Sequence, residues 1–333
     1  MADRRRVNGP PGGTRPPVFA SSLLSKEGTT SPAVERPDRT RKPDQLRKIF
    51  LKTGLVPSAS GSAYLEVQPY DTPQSTPKSL IPPSSSLKLT CTVHGPKPLP
   101  RSAPFSPNLL LTTHVKFAPF AARRRRGYLR DVSERDLGVH LETAIRGMII
   151  GDRWPKSVLD VSVTILEGED DRWWGDAVSL GPFSGMDGWG LMNVLAGCIT
   201  VASAAIADAR IDCLDLLAGG VAAFVGGKGD TKESKDGTLV LDPNPAEHQE
   251  IYSACVVGYM PSRDEITELW LKGDVQSPGS GKFAGHELLV DGAIEAARAV
   301  QTVLTEAVKE SAERSANKVQ TGRLPEEDAE MQL

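Results

Sequence analysis

Proline distribution limits what this chain can fold into more than any other feature. Eighteen of the 26 prolines fall at or before Pro107. Each fixes φ and removes a backbone donor, so a stretch this dense cannot sustain continuous helix or sheet. The folded mass is therefore expected after roughly the first forty residues. Residues 1–41 read as a disordered basic arm of Pro, Gly, Ser, Thr and Arg, without hydrophobic periodicity. Residues 313–333 are rich in Glu and read as an acidic flexible tail. The net charge of -3 excludes a uniformly basic nucleic-acid coat. A basic arm and an acidic tail are read first as solvated ends, with nucleic-acid binding by the arm as the alternative.

Between these ends the chain alternates strand-like and helix-like patterns. Ordered structure is expected to begin at Ile49–Val56. Strands are expected at Ser62–Val67, at Leu87–Val93, where His94-Gly95-Pro96 should stop it, and at Leu109–Phe117. A helix should follow, capped by Ser133 with Asp136 three residues on, and running to about Ile150, with Gly151 closing it. Leu137, Leu141, Ala144, Ile145, Met148 and Ile149 form its apolar stripe. Val158–Leu166 reads as a strand, and Leu191–Ala209 as a helix apolar on nearly every side, hence buried. Strands are expected near Leu216–Val225, Thr238–Leu241, Ile251–Tyr259 and Glu265–Leu271. A long helix from about Gly285 is expected to turn Leu289, Ala293, Ala296, Val300, Val303, Leu304 and Ala307 inward. This order gives a mixed α/β (α+β) fold rather than a doubly wound one.

Several chemistries can be set aside. Cys91, Cys198, Cys213 and Cys255 show no CxxC spacing and sit among apolar residues, which suits buried reduced thiols. His94, His114, His140, His248 and His286 are scattered without ligand spacing, so no metal or other cofactor is expected. Gly279-Ser280-Gly281-Lys282 lacks the P-loop's first glycine, where Gln276 stands, and has Phe283 in place of the Ser or Thr that would hold magnesium. Gly226-Gly227-Lys228-Gly229 fails in the same way. No GxSxG or HExxH occurs. No apolar h-region follows the N-terminus, and Val194–Ala207 is too short to cross a bilayer, so no leader or membrane contact is expected.

Arg123-Arg124-Arg125-Arg126 is the one strongly charged run. Adjacent guanidiniums repel and gain little from folding, so a solvated loop is one reading. The other is contact with a nucleic-acid backbone, because the guanidinium fork matches phosphate oxygens. Phe117, Phe120 and Tyr128 flank the run. They could stack on bases, although a Phe at a strand end more commonly packs in the core.

The segment Ile49-Phe50-Leu51-Lys52-Thr53-Gly54-Leu55-Val56, followed by Ser60-Gly61-Ser62-Ala63-Tyr64-Leu65-Glu66, resembles the opening of ribonuclease PH-like proteins. There a G-S-A-x-x-E strand leads to a C-x-V-x-G-P strand, matched here by Cys91-Thr92-Val93-His94-Gly95-Pro96. Ala118-Pro119-Phe120 before the arginines and Trp154-Pro155-Lys156-Ser157 also fit. The similarity spans roughly Lys42 to Lys309. It implies a domain over residues 42–312 with a ribosomal-protein-S5 domain-2-like fold, interrupted near 70–86, 97–108, 167–189 and 226–237. It also implies a place in the ring of the eukaryotic RNA exosome. The expected partners are related ring subunits, RNA-binding cap subunits, an associated exoribonuclease and single-stranded RNA, in nucleus, nucleolus and cytoplasm.

Active members of that family cleave RNA with inorganic phosphate, which needs an anion site and an acid. Their D-G-G-T-R segment supplies the phosphate-binding arginine. The matching Asp187-Gly188-Trp189-Gly190-Leu191 has none. Their D-L-D-Y-x-E-D cluster becomes Asp242-Pro243-Asn244-Pro245-Ala246-Glu247-His248, where Asp242 reads as a turn residue. The resemblance therefore implies a non-catalytic subunit with no catalytic residues, in which Arg123, Arg124, Arg125 and Arg126 would guide RNA. Three alternatives stay open: a residual phosphorolytic exoribonuclease using Asp242, a free-standing RNA-binding protein, and a different inactive subunit of the same ring.

Overall fold

The computed structural model describes residues 39–68, 86–100, 104–122, 127, 131–169, 188–226, 237–248, 250–273 and 282–321. Two sheets enclose the core. The first has the order β1-β2-β3-β5-β4, from β1 (Ile49–Thr53), β2 (Gly61–Val67), β3 (Leu87–Pro98), β4 (Leu110–Phe117) and β5 (Ser157–Glu167). Its strands pair antiparallel except β4 with β5. That parallel pair needs a crossover, supplied by α1 (Val132–Met148). The second sheet has the order β7-β6-β8-β9, from β6 (Ala218–Val225), β7 (Thr238–Leu241), β8 (Ile251–Met260) and β9 (Glu265–Gly273), all antiparallel. Helices α2 (Trp189–Asp208) and α3 (Lys282–Thr321) complete the set.

The all-round apolar character of α2 follows from its place between the sheets. It packs on β2 and β3 of one and on β6 and β8 of the other. By length and composition it could also cross a membrane, yet its residues from Met192 to Ile206 are all buried in the protein. Adjacent glycines in β6 let helices approach both faces of that strand. A Cβ on Gly219 would lie 2.2 Å from the carbonyl oxygen of Ala196 in α2, and one on Gly220 would lie 2.1 Å from that of Ala293 in α3. Successive strand residues point to opposite faces, so the Gly-Gly pair serves one helix on each side. Cys91, Cys198 and Cys255 are buried free thiols, and burial pushes Cys198 and Cys255 up to about 12.

Three expectations are corrected. The strand β3 does not stop at His94. It continues to Pro98, with Gly95 and Pro96 dropping out of register between the pairs His94↔Asp160 and Lys97↔Val158. The cap of α1 is Asp131 rather than Ser133, and the helix ends at Met148, so Gly151 opens a short 3-10 turn instead of closing it. Glu134 explains the choice of cap. Its carboxylate accepts from Asp131 N at 3.0 Å, from Phe117 N at 3.0 Å and from Lys116 Nζ at 2.8 Å. One buried carboxylate thus caps α1 and ties its first turn to the end of β4. Finally, α3 begins at Lys282 and continues to Thr321, past residue 312 where the flexible tail was expected.

The remaining strand and helix assignments differ from the sequence reading only at their ends. Leu137, Leu141, Ala144, Ile145 and Met148 are buried as the stripe requires, while Ile149 is the half-buried residue after the helix. In α3 the inward residues are buried, except that Val303 is half-buried.

Candidate functional site

Arg123–Arg126, Tyr128 and Asp187 lie outside the described residues. Of the aromatics flanking the arginine run, Phe117 is buried in the core and Phe120 is exposed. The described residues do join the two segments compared above with catalytic motifs. Gly188, in the left-handed region at φ 69°, precedes the first turn of α2, and Leu191 in that turn carries no positive charge. One turn on, Asn193 Nδ2 donates to the carbonyl oxygen of Pro243 at 2.6 Å, which ties the start of α2 to the loop that follows Asp242.

Asp242 adopts the left-handed region at φ 50°, directly after β7. It is a turn residue, as its Asp-Pro sequence suggested, but its side chain is also the centre of a buried ionic hub. Arg47 forks onto it: Nε donates to Oδ2 at 2.8 Å and Nη2 to Oδ1 at 2.6 Å, while the Arg47 backbone N–H donates to Oδ2 at 3.0 Å. Arg41 Nη1 adds a fourth bond to Oδ2 at 3.1 Å, and Arg41 Nη2 reaches Glu247 Oε2 at 2.8 Å. The other arm of Arg47 pairs with Glu169, whose second oxygen accepts from Asn193 Nδ2 at 2.5 Å. Arg39 closes the hub on backbone, donating to the carbonyl oxygens of Leu241, Asp242, Lys42 and Gln45 at 2.8–3.2 Å.

The electrostatics follow from one cation shared between an enclosed acid, Glu169, and a part-buried one, Asp242. The side chains of Arg47 and Glu169 are each only 2% exposed. Burial opposes the charge on Asp242, but the field and hydrogen bonds of Arg47, with Arg41 behind it, hold its carboxyl far below the usual carboxylate range. Glu169 goes the other way: its burial, reinforced by the nearby Asp242 charge, raises it despite Arg47 and Asn193. Arg47 therefore serves Asp242 first. Burial and the neighbouring Arg41 push Arg39 down to about 10, so it remains charged at neutral pH.

A group with this environment is poorly placed for proton transfer. A general acid or base needs a pKa near the operating pH and a lone pair or proton facing the reactant. Asp242 is held ionised, and four donors occupy its oxygens. The three guanidiniums are likewise committed to carboxylates and carbonyls. Beside the hub lies a cavity of about 50 Å³, lined by Arg47, Asn193 and Asp242 and otherwise largely by apolar side chains such as Leu65 and Val300. Among the described residues, no group of three or more His, Cys, Asp or Glu side chains could hold a metal ion.

Sequence reasoning missed most of this hub. Arg39 and Arg41 fall within the stretch that composition reads as a disordered arm, although an Arg-Thr-Arg spacing places two guanidiniums on one side of an extended chain. Glu169 lies at the edge of the 167–189 stretch, where the family resemblance is interrupted. The missing signal was a set of buried acids in want of partners, with unassigned arginines far away in sequence.

Two sheets around a buried helix, with the start of that helix tied to the loop after β7, make up a ribonuclease PH-like fold. The chain belongs to the 3' exoribonuclease family, whose domain 1 matches residues 45–212. It is 49% identical over 313 residues to exosome complex component MTR3 of Chaetomium thermophilum, covering 93% of this chain and 99% of that one. It is 30% identical over 275 residues to exosome complex component mtr3 of Schizosaccharomyces pombe, covering 82% and 85%. Rice Rrp46 shares the fold at a TM-score of 0.58 with 15% identity, over 81% of this chain and 98% of that structure.

Proposed function

We propose that this chain is a non-catalytic subunit of the RNA exosome core ring. It supports 3'–5' RNA processing and degradation by closing the ring and guiding single-stranded RNA to a nuclease elsewhere in the complex. The assembly reading rests on the near full-length similarity to exosome complex component MTR3. The non-catalytic reading is carried by one observation: Asp242, the first acid of the family's acidic cluster, has both oxygens bound by Arg47 and Arg41, and Glu247, the other acid retained, is paired with Arg41. A carboxylate so neutralised offers neither a proton nor a free oxygen to a reacting phosphate. Leu191 in place of the phosphate-binding arginine removes the second requirement. The proposed partners are other ribonuclease PH-like ring subunits, RNA-binding cap subunits and an associated exoribonuclease, in nucleus, nucleolus and cytoplasm. Arg123–Arg126 are the proposed RNA contacts.

Phosphorolysis has a specific readout. The purified chain, given single-stranded RNA and inorganic phosphate, is expected to release no nucleoside diphosphate above a no-protein control. Phosphate-dependent release that disappears in Asp242→Asn would establish the residual enzyme instead.

A further inference from the structure

The end of α2 opposite the hub borders a larger cavity. A cleft of about 370 Å³ lies between the last residue of β1, the C-terminal turn of α2 and the distal half of α3. Its size falls in the range of small-molecule sites. Asp208 fastens its walls together: Oδ2 accepts from Ser62 N at 3.0 Å, and Oδ1 accepts from Ser311 Oγ at 3.1 Å. The fold thus preforms the cleft.

Three of its groups have unused bonding capacity. Arg210 is exposed, and no acid among the described residues pairs with it. Asp212, two positions on, pairs with Arg153 instead, at 3.3 Å. Arg210 also adopts the left-handed region at φ 60°, just past the end of α2, where glycine is the usual residue. An arginine there strains the backbone, and no ion pair in the described fold accounts for the choice. Thr53 is 1% exposed, and its hydroxyl has no hydrogen-bond partner among the described residues. Asp208 accepts one bond on each oxygen, where a carboxylate oxygen accepts about two. Ser315, Ala312 and Ala207 add a hydroxyl and small apolar surface to the lining.

This pattern selects a ligand class. A guanidinium forks onto phosphate, and a carboxylate accepts from sugar hydroxyls. A bare anion suits the cleft poorly, because the Asp208 charge and the carbonyl end of α2 both oppose it. We infer that the cleft binds a small sugar phosphate, with the phosphate on Arg210 and the sugar hydroxyls on Asp208 and the side-chain hydroxyls beside it. The site is separate from the hub and does not depend on the RNA-guiding reading.

Titration calorimetry of the full chain tests this, with ribose 5-phosphate, ribose and inorganic phosphate as probes. Ribose 5-phosphate is expected to bind saturably at one site, at least about tenfold more tightly than either fragment, since each fragment lacks half of the contacts. Arg210→Gly is expected to weaken that binding at least about tenfold without lowering the thermal unfolding midpoint of the unliganded chain, because glycine suits the left-handed turn. Ala312→Leu fills the cleft from an exposed helical position without altering charge, and a similar loss is expected. Absence of saturable ribose 5-phosphate binding would overturn the inference. Wild-type affinity in either variant would place the ligand elsewhere and would overturn it too. Inorganic phosphate binding as tightly as ribose 5-phosphate would reduce the site to an anion contact at Arg210, and the sugar phosphate assignment would fall.

Discussion

Arg47→Ala is expected to cost about 3–5 kcal/mol of folding stability, the usual penalty for removing one partner of a buried ion pair. The side chain is enclosed and holds two acids at once, so alanine removes two of the four donors to Asp242 and leaves Glu169 with Asn193 as its neighbour. Urea unfolding of the chain reads this as a lower midpoint with little change in slope. Arg47→Lys should also destabilise, because one ammonium cannot fork onto Asp242 and reach Glu169 together. Glu169→Gln should be far milder. It removes a carboxylate that burial already disfavours, and it leaves Arg47 with its preferred partner. The same hub sets an acid response. The folded-state pKa of Asp242 is depressed, so its contribution is complete above the unfolded value of about 3.9 and is lost as pH falls below it. Unfolding midpoints measured from pH 7 to pH 3 should drop more steeply at the acid end for the wild type than for Arg47→Ala. A loss of under about 1 kcal/mol in Arg47→Ala would place the hub among weak surface pairs.

Replacing Arg123–Arg126 together with alanine is expected to weaken RNA binding by the assembled ring by at least about tenfold. The change in salt dependence is the sharper sign. Each phosphate contact on a single strand adds about 0.7 to the slope of log affinity against log salt, so losing four contacts removes up to about 3. The fold supports this loop from both sides. Before it, Ala118–Ala121 is pinned to β5. After it, Asp131 caps α1, and Glu134 joins that cap to Phe117 N. Unchanged affinity and slope would reduce the run to solvated surface charge.

Much of the architecture could be read from periodicity. The alternation in Leu87–Val93 and Val158–Leu166 reports half-buried strands, and the unbroken apolar run of α2 reports a helix covered on all sides. The errors occur where a distant group overrides a local preference. Asp131 outcompetes Ser133 as a cap because Glu134 is already anchored to β4. The strand β3 runs on past Gly95 and Pro96 because β5 pairs with it again at Lys97 and Pro98. The hub was the least legible part. Asp242 bonds to residues 195 and 201 positions away, and no local pattern ties an acid after a strand to arginines before the first one. The resemblance could draw attention to Leu191 and Asp242. It could not show that three arginines of this chain neutralise the acids that remain.

The central claim is membership of the exosome ring, and native mass spectrometry of the tagged chain purified gently from its own cells tests it most directly. The account predicts recovery in a complex of ring-sized mass containing several different ribonuclease PH-like subunits and RNA-binding caps. Recovery as a lone monomer, or as a homo-hexamer, would contradict it.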